Sequence, residues 1–177
     1  NEIKQYSRNK LLFVDENVDG IKTGYTKAAG YCLASSAKRG QRRLIAVVMG
    51  APSPDVRIQS SRTLLEYGFR FFETHNLFKK NEAISEARVY GGEKSEIKFG
   101  VTNDAVITIP RRQKKNLKFD YIIDQKLTAP IQQNETIGYL NVKLKDQVIQ
   151  TYKLTALENI NQGSLYRRTL DSLLMDL

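Results

Sequence analysis

The chain has 177 residues, 41% of them hydrophobic and 27% charged, a balance that supports a packed core and argues against wholesale disorder. Its net charge of +9 is spread on both sides of His75 rather than gathered in one stripe, so it fits anionic partners in general and marks no nucleic-acid face. No apolar run reaches the roughly 18 residues of a membrane-spanning helix, and the lone Cys32 excludes an internal disulfide and a cysteine-based metal site.

The opening "NEIKQYSRNK" has no apolar stretch of signal-peptide type and no starting methionine, and the expectation is a piece of a longer chain. "IKTG", "YCLASSAK" and "RLIAVVMG" then follow one another as short β-rich runs with short connections, the last two joined by a turn on Gly40. This succession predicts an antiparallel meander. In "SPDVRIQSSRTLLEYGFRFFETH", Ser53 or Asp55 caps a helix whose apolar face takes in Ile58, Ser61, Leu64, Leu65, Gly68, Phe69 and Phe72.

Beyond His75 the texture changes to short segments with turn residues between them: "EARVYG", "SEIKFGV", "AVITIP", "FDYIID", "TIGYLNVKL" and "QVIQTYKL". That spacing predicts a small all-β domain, with the boundary between Thr74 and Lys80. The basic cluster "PRRQKKNLK" has no interleaved aromatic, reads as a solvated loop or strand face, and gives no reason to expect a nucleic-acid partner. The final "GSLYRRTLDSLLMDL" returns to helical spacing, with Leu170, Leu173, Leu174 and Leu177 on one side.

The chemistry concentrates at Lys22-Thr23-Gly24. On a strand, Lys22 and Gly24 share one face and Thr23 takes the other. Glycine lets a second backbone lie close, so an edge here can receive a peptide as an added strand. Lys22 supplies positive charge, Thr23 a hydroxyl for a carboxylate oxygen, and the Tyr25 N–H a donor for an oxyanion. Three such residues occur together in many ordinary strands, and the tripeptide by itself favours an ordinary strand end over the wall of an active site.

The surrounding stretches change that weighting. "VDGIKTGYTKAAGYCLASSA", "RLIAVVMGA" and "LLEYGFRFFET", and more weakly "AVITIPR" and "LTAPIQQNETIGYL", resemble the low-molecular-mass penicillin-binding proteins that act as serine D-alanyl-D-alanine carboxypeptidases. The resemblance implies an α/β fold: the last antiparallel strands and C-terminal helix of a penicillin-binding/β-lactamase-like catalytic domain (residues 1–75). A small all-β stalk domain (76–166) and the start of an amphipathic helix (167–177) follow it. It implies removal of the terminal D-alanine of peptidoglycan pentapeptides through an acyl-serine, with no metal or organic cofactor. Lys22 takes the catalytic role, and substrate binding falls to Lys22, Thr23, Gly24 and Tyr25, joined by Arg8 near the substrate carboxylate; Arg57, which lies after the strand, is a further candidate to face the substrate. For both arginines an exposed side chain with no such role is the competing reading.

The implied partners are the peptidoglycan stem peptide, β-lactam antibiotics and, through the terminal helix with Arg167 and Arg168, the periplasmic face of the cytoplasmic membrane. The resemblance also requires S-x-x-K and S-x-N motifs far upstream of K-T-G. Ser35-Ser36-Ala37-Lys38 and Ser7-Arg8-Asn9 match them in letters only, so the nucleophile is expected outside this chain. His75, the single histidine, lies apart from both serines, which speaks against a Ser-His-Asp triad. Two other classes compete: a non-catalytic β-rich binding or scaffold module, and a β-lactamase, the latter disfavoured by the second domain.

Overall fold

A computed structural model describes residues 5–124 and 126–175. The chain divides into two compact units between Glu73 and Thr74. The first unit holds a short helix α1 (Leu11–Val14), strands β1 (Val18–Thr26), β2 (Gly30–Arg39) and β3 (Arg42–Ala51), and helix α2 (Pro54–Phe71). The strands form the antiparallel meander that the apolar runs predict, in the order β1-β2-β3. β2 and β3 meet across Gly40, whose φ of 60° is easy for a residue without Cβ.

Helix α2 starts where the sequence places it. Ser53 sits in extended conformation and its Oγ accepts from the Val56 N–H, while Pro54 occupies the first turn, where it costs no hydrogen bond. Arg57, Ser61, Leu65 and Phe69 are its buried residues, one per turn. Leu65 and Phe69 pack with Leu33, Ala37 and Ala46 of the sheet, and burying a leucine such as Leu33 or Leu65 contributes roughly 2 kcal/mol. The helix lies close because Gly68 has no side chain: a Cβ there would stand 2.6 Å from Leu44 Cδ1.

Two expectations need correction. Leu64 is 48% exposed, since the buried stripe is centred a residue along from it. Phe72 does not extend the helix face; it turns to an extended conformation and opens strand β4 (Phe72–Phe78). The stretch read as a junction is therefore itself strand, its β-prone Phe72, Thr74 and Phe78 hidden from the pattern by the helical run before them.

The second unit contains β5 (Ser85–Arg88), β6 (Glu96–Gly100), β7 (Ala105–Pro110), β8 (Leu117–Ile123), β9 (Thr136–Leu144), β10 (Gln147–Ala156) and helix α3 (Leu165–Met175). Among the described residues, five strands order as β5-β6-β10-β9-β8, and β4 pairs with β7. β7 buries alternate residues, Ala105, Ile107 and Ile109, as a strand half-turned to water must. These join Ile97, Leu140, Val142, Leu154 and Ile160 in one core.

Candidate active site

Among the described residues β1 is an edge strand: β2 covers one side, and no other described strand covers the other. The ladder sets Lys22 opposite Ala34, Thr23 opposite Leu33, Gly24 opposite Cys32 and Tyr25 opposite Tyr31. Leu33 belongs to the core beneath α2, so Thr23 leans toward the helix side while Lys22 and Gly24 take the other face. The Lys22 ammonium bends to the strand edge and donates to the Thr23 carbonyl at 3.0 Å.

Along this edge runs a cleft of about 640 Å³, into which Arg8, Lys22, Thr23, Gly24, Tyr25 and Arg57 all open. Three separate segments converge there. The segment before α1 brings Arg8, β1 brings Lys22 through Tyr25, and α2 brings Arg57. The two arginines differ. Arg8 is exposed. Arg57 is 5% exposed, its Nη2 donates to the Arg8 carbonyl at 3.2 Å, and its guanidinium carbon lies 5.8 Å from the Tyr31 ring. No described residue accepts a hydrogen bond from its Nε. Arg57 is thus not the exposed arginine of the competing reading: it is buried, and its hydrogen bond joins the Arg8 segment to the helix.

Sequence reasoning missed Asn9 and Tyr31, which also line this cleft. Asn9, 4% exposed, donates through Nδ2 to the Gly20 carbonyl at 3.3 Å and accepts from the Leu11 N–H at 3.3 Å, fastening the Arg8 segment to β1. An asparagine just before "KLLF" carries that signal, as a side chain able to close a turn at a helix entry. Tyr31 stacks on Tyr25 with ring centroids 4.4 Å apart. That pairing follows from the register, which is unreadable until the length of the turn is known.

The look-alike motifs fall where the sequence reading puts them. Ser35 lies in β2, fully buried, with its Oγ donating to the Ala46 carbonyl at 3.3 Å. Lys38 is three residues on along the same strand, and so projects from the opposite face. Ser7 is exposed and its Oγ accepts from the Asn9 N–H. Among the described residues no hydrogen bond joins either hydroxyl to a basic side chain. His75 stands in β4, on the second unit's side of the division.

One residue from each strand clasps the sheet. Arg43 of β3 grips Asp19 of β1 with two nitrogens, Nη1–Oδ1 and Nη2–Oδ2 each at 2.7 Å, and donates also to Ser36 Oγ of β2. A bulge between Val18 and Gly20 aims Asp19 there. The hydrogen bonds from Arg43 and Ser36 hold its carboxyl down to about 2. The same face that carries Lys22 leaves Ile45, Val47 and Met49 exposed at 64%, 58% and 77%, with Val47 in the Lys22–Ala34–Val47 row.

In the second unit, α3 is fixed to the turn after β5. Asp171 accepts from the Gly91 N–H at 2.8 Å, and Arg167 donates to the Glu93 carbonyl at 2.8 Å. Leu165, Tyr166 and Leu170 of the helix are exposed. Leu177 and the side chains of Leu173 and Leu174 lie outside the described residues. Among the described residues no helix is long and apolar enough to cross a membrane, and no group of three or more side chains has metal-site geometry.

Comparison with known proteins bears on both units. A family model described as D-alanyl-D-alanine carboxypeptidase matches residues 1–53. One described as penicillin-binding protein 5, C-terminal domain, matches residues 72–162. D-alanyl-D-alanine carboxypeptidase DacC of Escherichia coli K12 is 41% identical over 99% of this chain and 44% of its own length. DacF of Bacillus subtilis is 32% identical over 88% of this chain and 40% of its own. The crystal structure of penicillin-binding protein 5 from Haemophilus influenzae superposes with a TM-score of 0.85 at 39% identity, covering 92% of this chain and 48% of that one. The chain thus spans less than half the length of the relatives it matches.

Proposed function

The chain belongs to the penicillin-binding protein 5 family of D-alanyl-D-alanine carboxypeptidases, and from that premise we propose that it supplies one wall of a carboxypeptidase site. The substrate is a peptidoglycan stem peptide ending in D-Ala-D-Ala. A serine Oγ, carried by a part of the source protein outside these residues, attacks the carbonyl carbon between the two D-alanines. The C–N bond breaks, the serine's proton ends on the departing amine, and water then hydrolyses the acyl-serine. β-Lactams enter the same cleft and leave an acyl-enzyme.

The single observation that carries the reading is the convergence of Arg8, Lys22–Tyr25 and Arg57 on one cleft along an open strand edge. The edge of β1 takes the substrate as an added strand. Lys22 is the catalytic cation, stabilising charge as the serine attacks. Thr23 Oγ1 and Arg8 hold the terminal carboxylate, with Arg57 fixing Arg8 from beneath, and the Tyr25 N–H faces the oxyanion. Gly24 keeps the approach clear.

The exposed Ile45, Val47 and Met49 support a further step: the remainder of the catalytic domain, with its serine, packs on that face. Residues to about His75 then belong to the catalytic domain, those to Tyr166 to a β stalk, and those from Arg167 to an amphipathic helix. That helix rests on the periplasmic face of the cytoplasmic membrane, with its exposed Leu170, and Leu165 and Tyr166 just before Arg167, turned to lipid. The test is release of D-alanine from a soluble pentapeptide by the intact source protein. Release that penicillin blocks is the expected result, and no release rejects the proposal.

A further inference from the structure

We propose that the tip of the second unit farthest from α3 is a docking surface for the carboxylate-bearing stem peptides of peptidoglycan. The inference rests on the cell-wall reading above and adds a contact made by the β unit.

Two turns build this tip. The loop from β7 to β8 carries Arg111, Arg112, Lys114 and Lys115, and the β9–β10 turn carries Lys145. The register pairs Leu117 with Leu144, which brings the end of the loop beside that turn. Both turns are tight. Arg112, Lys145 and Asp146 have φ of 65°, 51° and 64°, and the loop is closed by Gln113 N–H to Pro110 O and Asn116 N–H to Gln113 O. The cations are therefore presented from an ordered backbone, which lowers the entropy lost on binding.

Two described carboxylates at this end of the sheet are already engaged, and Arg111 and Arg112 have partners of their own. Asp146 pairs with Lys118 at 2.7 Å, and Asp120 pairs with Lys143. Lys114, Lys115 and Lys145 remain exposed, with no ion pair among the described residues. Three like charges without an ion pair among the described residues cost self-repulsion that an anionic partner relieves.

Position and chemistry select the partner. β10 leaves this tip at Gln147 and ends at Ala156, about 30 Å away at about 3.3 Å per residue. Beyond that end lies the turn to which Asp171 and Arg167 hold α3. A lipid surface under α3 is then several screening lengths from the tip, since charges are screened over about 8 Å at physiological salt. No aromatic lies between Pro110 and Leu117 on which bases would stack. A hydrated polymer with repeated carboxylates fits what remains. Many weak contacts of this kind raise the effective concentration of stem peptides around the enzyme.

The experiment is co-sedimentation of the intact source protein with purified peptidoglycan sacculi, after acylation by penicillin so that the cleft contributes no binding. Wild type should sediment, less so as salt rises, and a K114E/K115E/K145E variant should bind about tenfold more weakly. The variant's turnover of a soluble pentapeptide should match wild type. Equal binding by the variant, binding indifferent to salt, or no binding by wild type overturns the docking surface. So does a loss seen only on anionic phospholipid vesicles, which would assign the tip to lipid. Failure of wild type to release D-alanine from the soluble peptide instead rejects the carboxypeptidase reading and is scored separately.

Discussion

Lys22 turns its ammonium onto the carbonyl oxygen of the very next residue, Thr23, at 3.0 Å. An ammonium has three donors, and this bond occupies one of them at the strand edge, leaving two to face an incoming oxyanion or carboxylate. Lys22→Ala in the intact source protein should slow acylation by penicillin by about 10² to 10³. Lys22→Arg, which keeps the charge but spreads it over a planar fork, should fall between. Stopped-flow acylation measures both. Thermal midpoints should stay within experimental scatter of wild type, because Lys22 is exposed.

Gly24 separates room inside the fold from room outside it. A Cβ built there would meet Cys32 Cβ at 3.8 Å, an ordinary contact, so Gly24→Ala should fold with near-wild-type stability. The methyl group would project where a substrate backbone lies, and a displacement of about 1 Å in a reacting pair costs about a hundredfold. Gly24→Val should acylate more slowly than Gly24→Ala. Normal acylation by both variants would show that no peptide approaches this strand.

The Asp19–Arg43 pair makes a statement about pH. Its folded carboxyl titrates at about 2, below the ordinary aspartate value of about 3.9. A depressed carboxyl contributes stability that is fully present above the unfolded value and is lost as pH falls through the folded one. The gap in stability between wild type and Asp19→Asn should therefore close between about pH 4 and pH 2. Carbon-detected NMR titration of Asp19 gives the midpoint directly, and a value near 4 would mean that the clasp is open in solution.

Gly100 tests the second unit. A Cβ there would stand 2.3 Å from the Glu82 carbonyl oxygen, a backbone atom that cannot swing away. Gly100→Ala should destabilise this unit by about 1–3 kcal/mol, read as a lower denaturant midpoint. An unchanged midpoint would place Glu82 elsewhere.

Much of this was legible in the residues. Alternation in "AVITIP" and the Ser53-Pro54 helix start are local signals, and β7 and α2 follow from them. β4 escaped because its phenylalanines continue the helical spacing of α2 until the backbone turns at Phe72. The site was legible along one strand, where Lys22, Thr23, Gly24 and Tyr25 are neighbours. Its depth was not. Asn9 bonding to Gly20, Arg57 beneath Arg8 and Tyr31 against Tyr25 are contacts across 11, 49 and a turn's worth of residues, fixed by register and packing rather than composition.

The central claim is that the Lys22–Tyr25 edge is a wall of a site whose nucleophile is elsewhere in the source protein. Labelling the intact protein with a fluorescent penicillin and mapping the modified residue by peptide mass spectrometry tests it most directly. The account predicts one covalent adduct, on a serine outside residues 1–177, and none on the 177-residue piece alone. An unlabelled intact protein, or an adduct on Ser35 or Ser7, would contradict it.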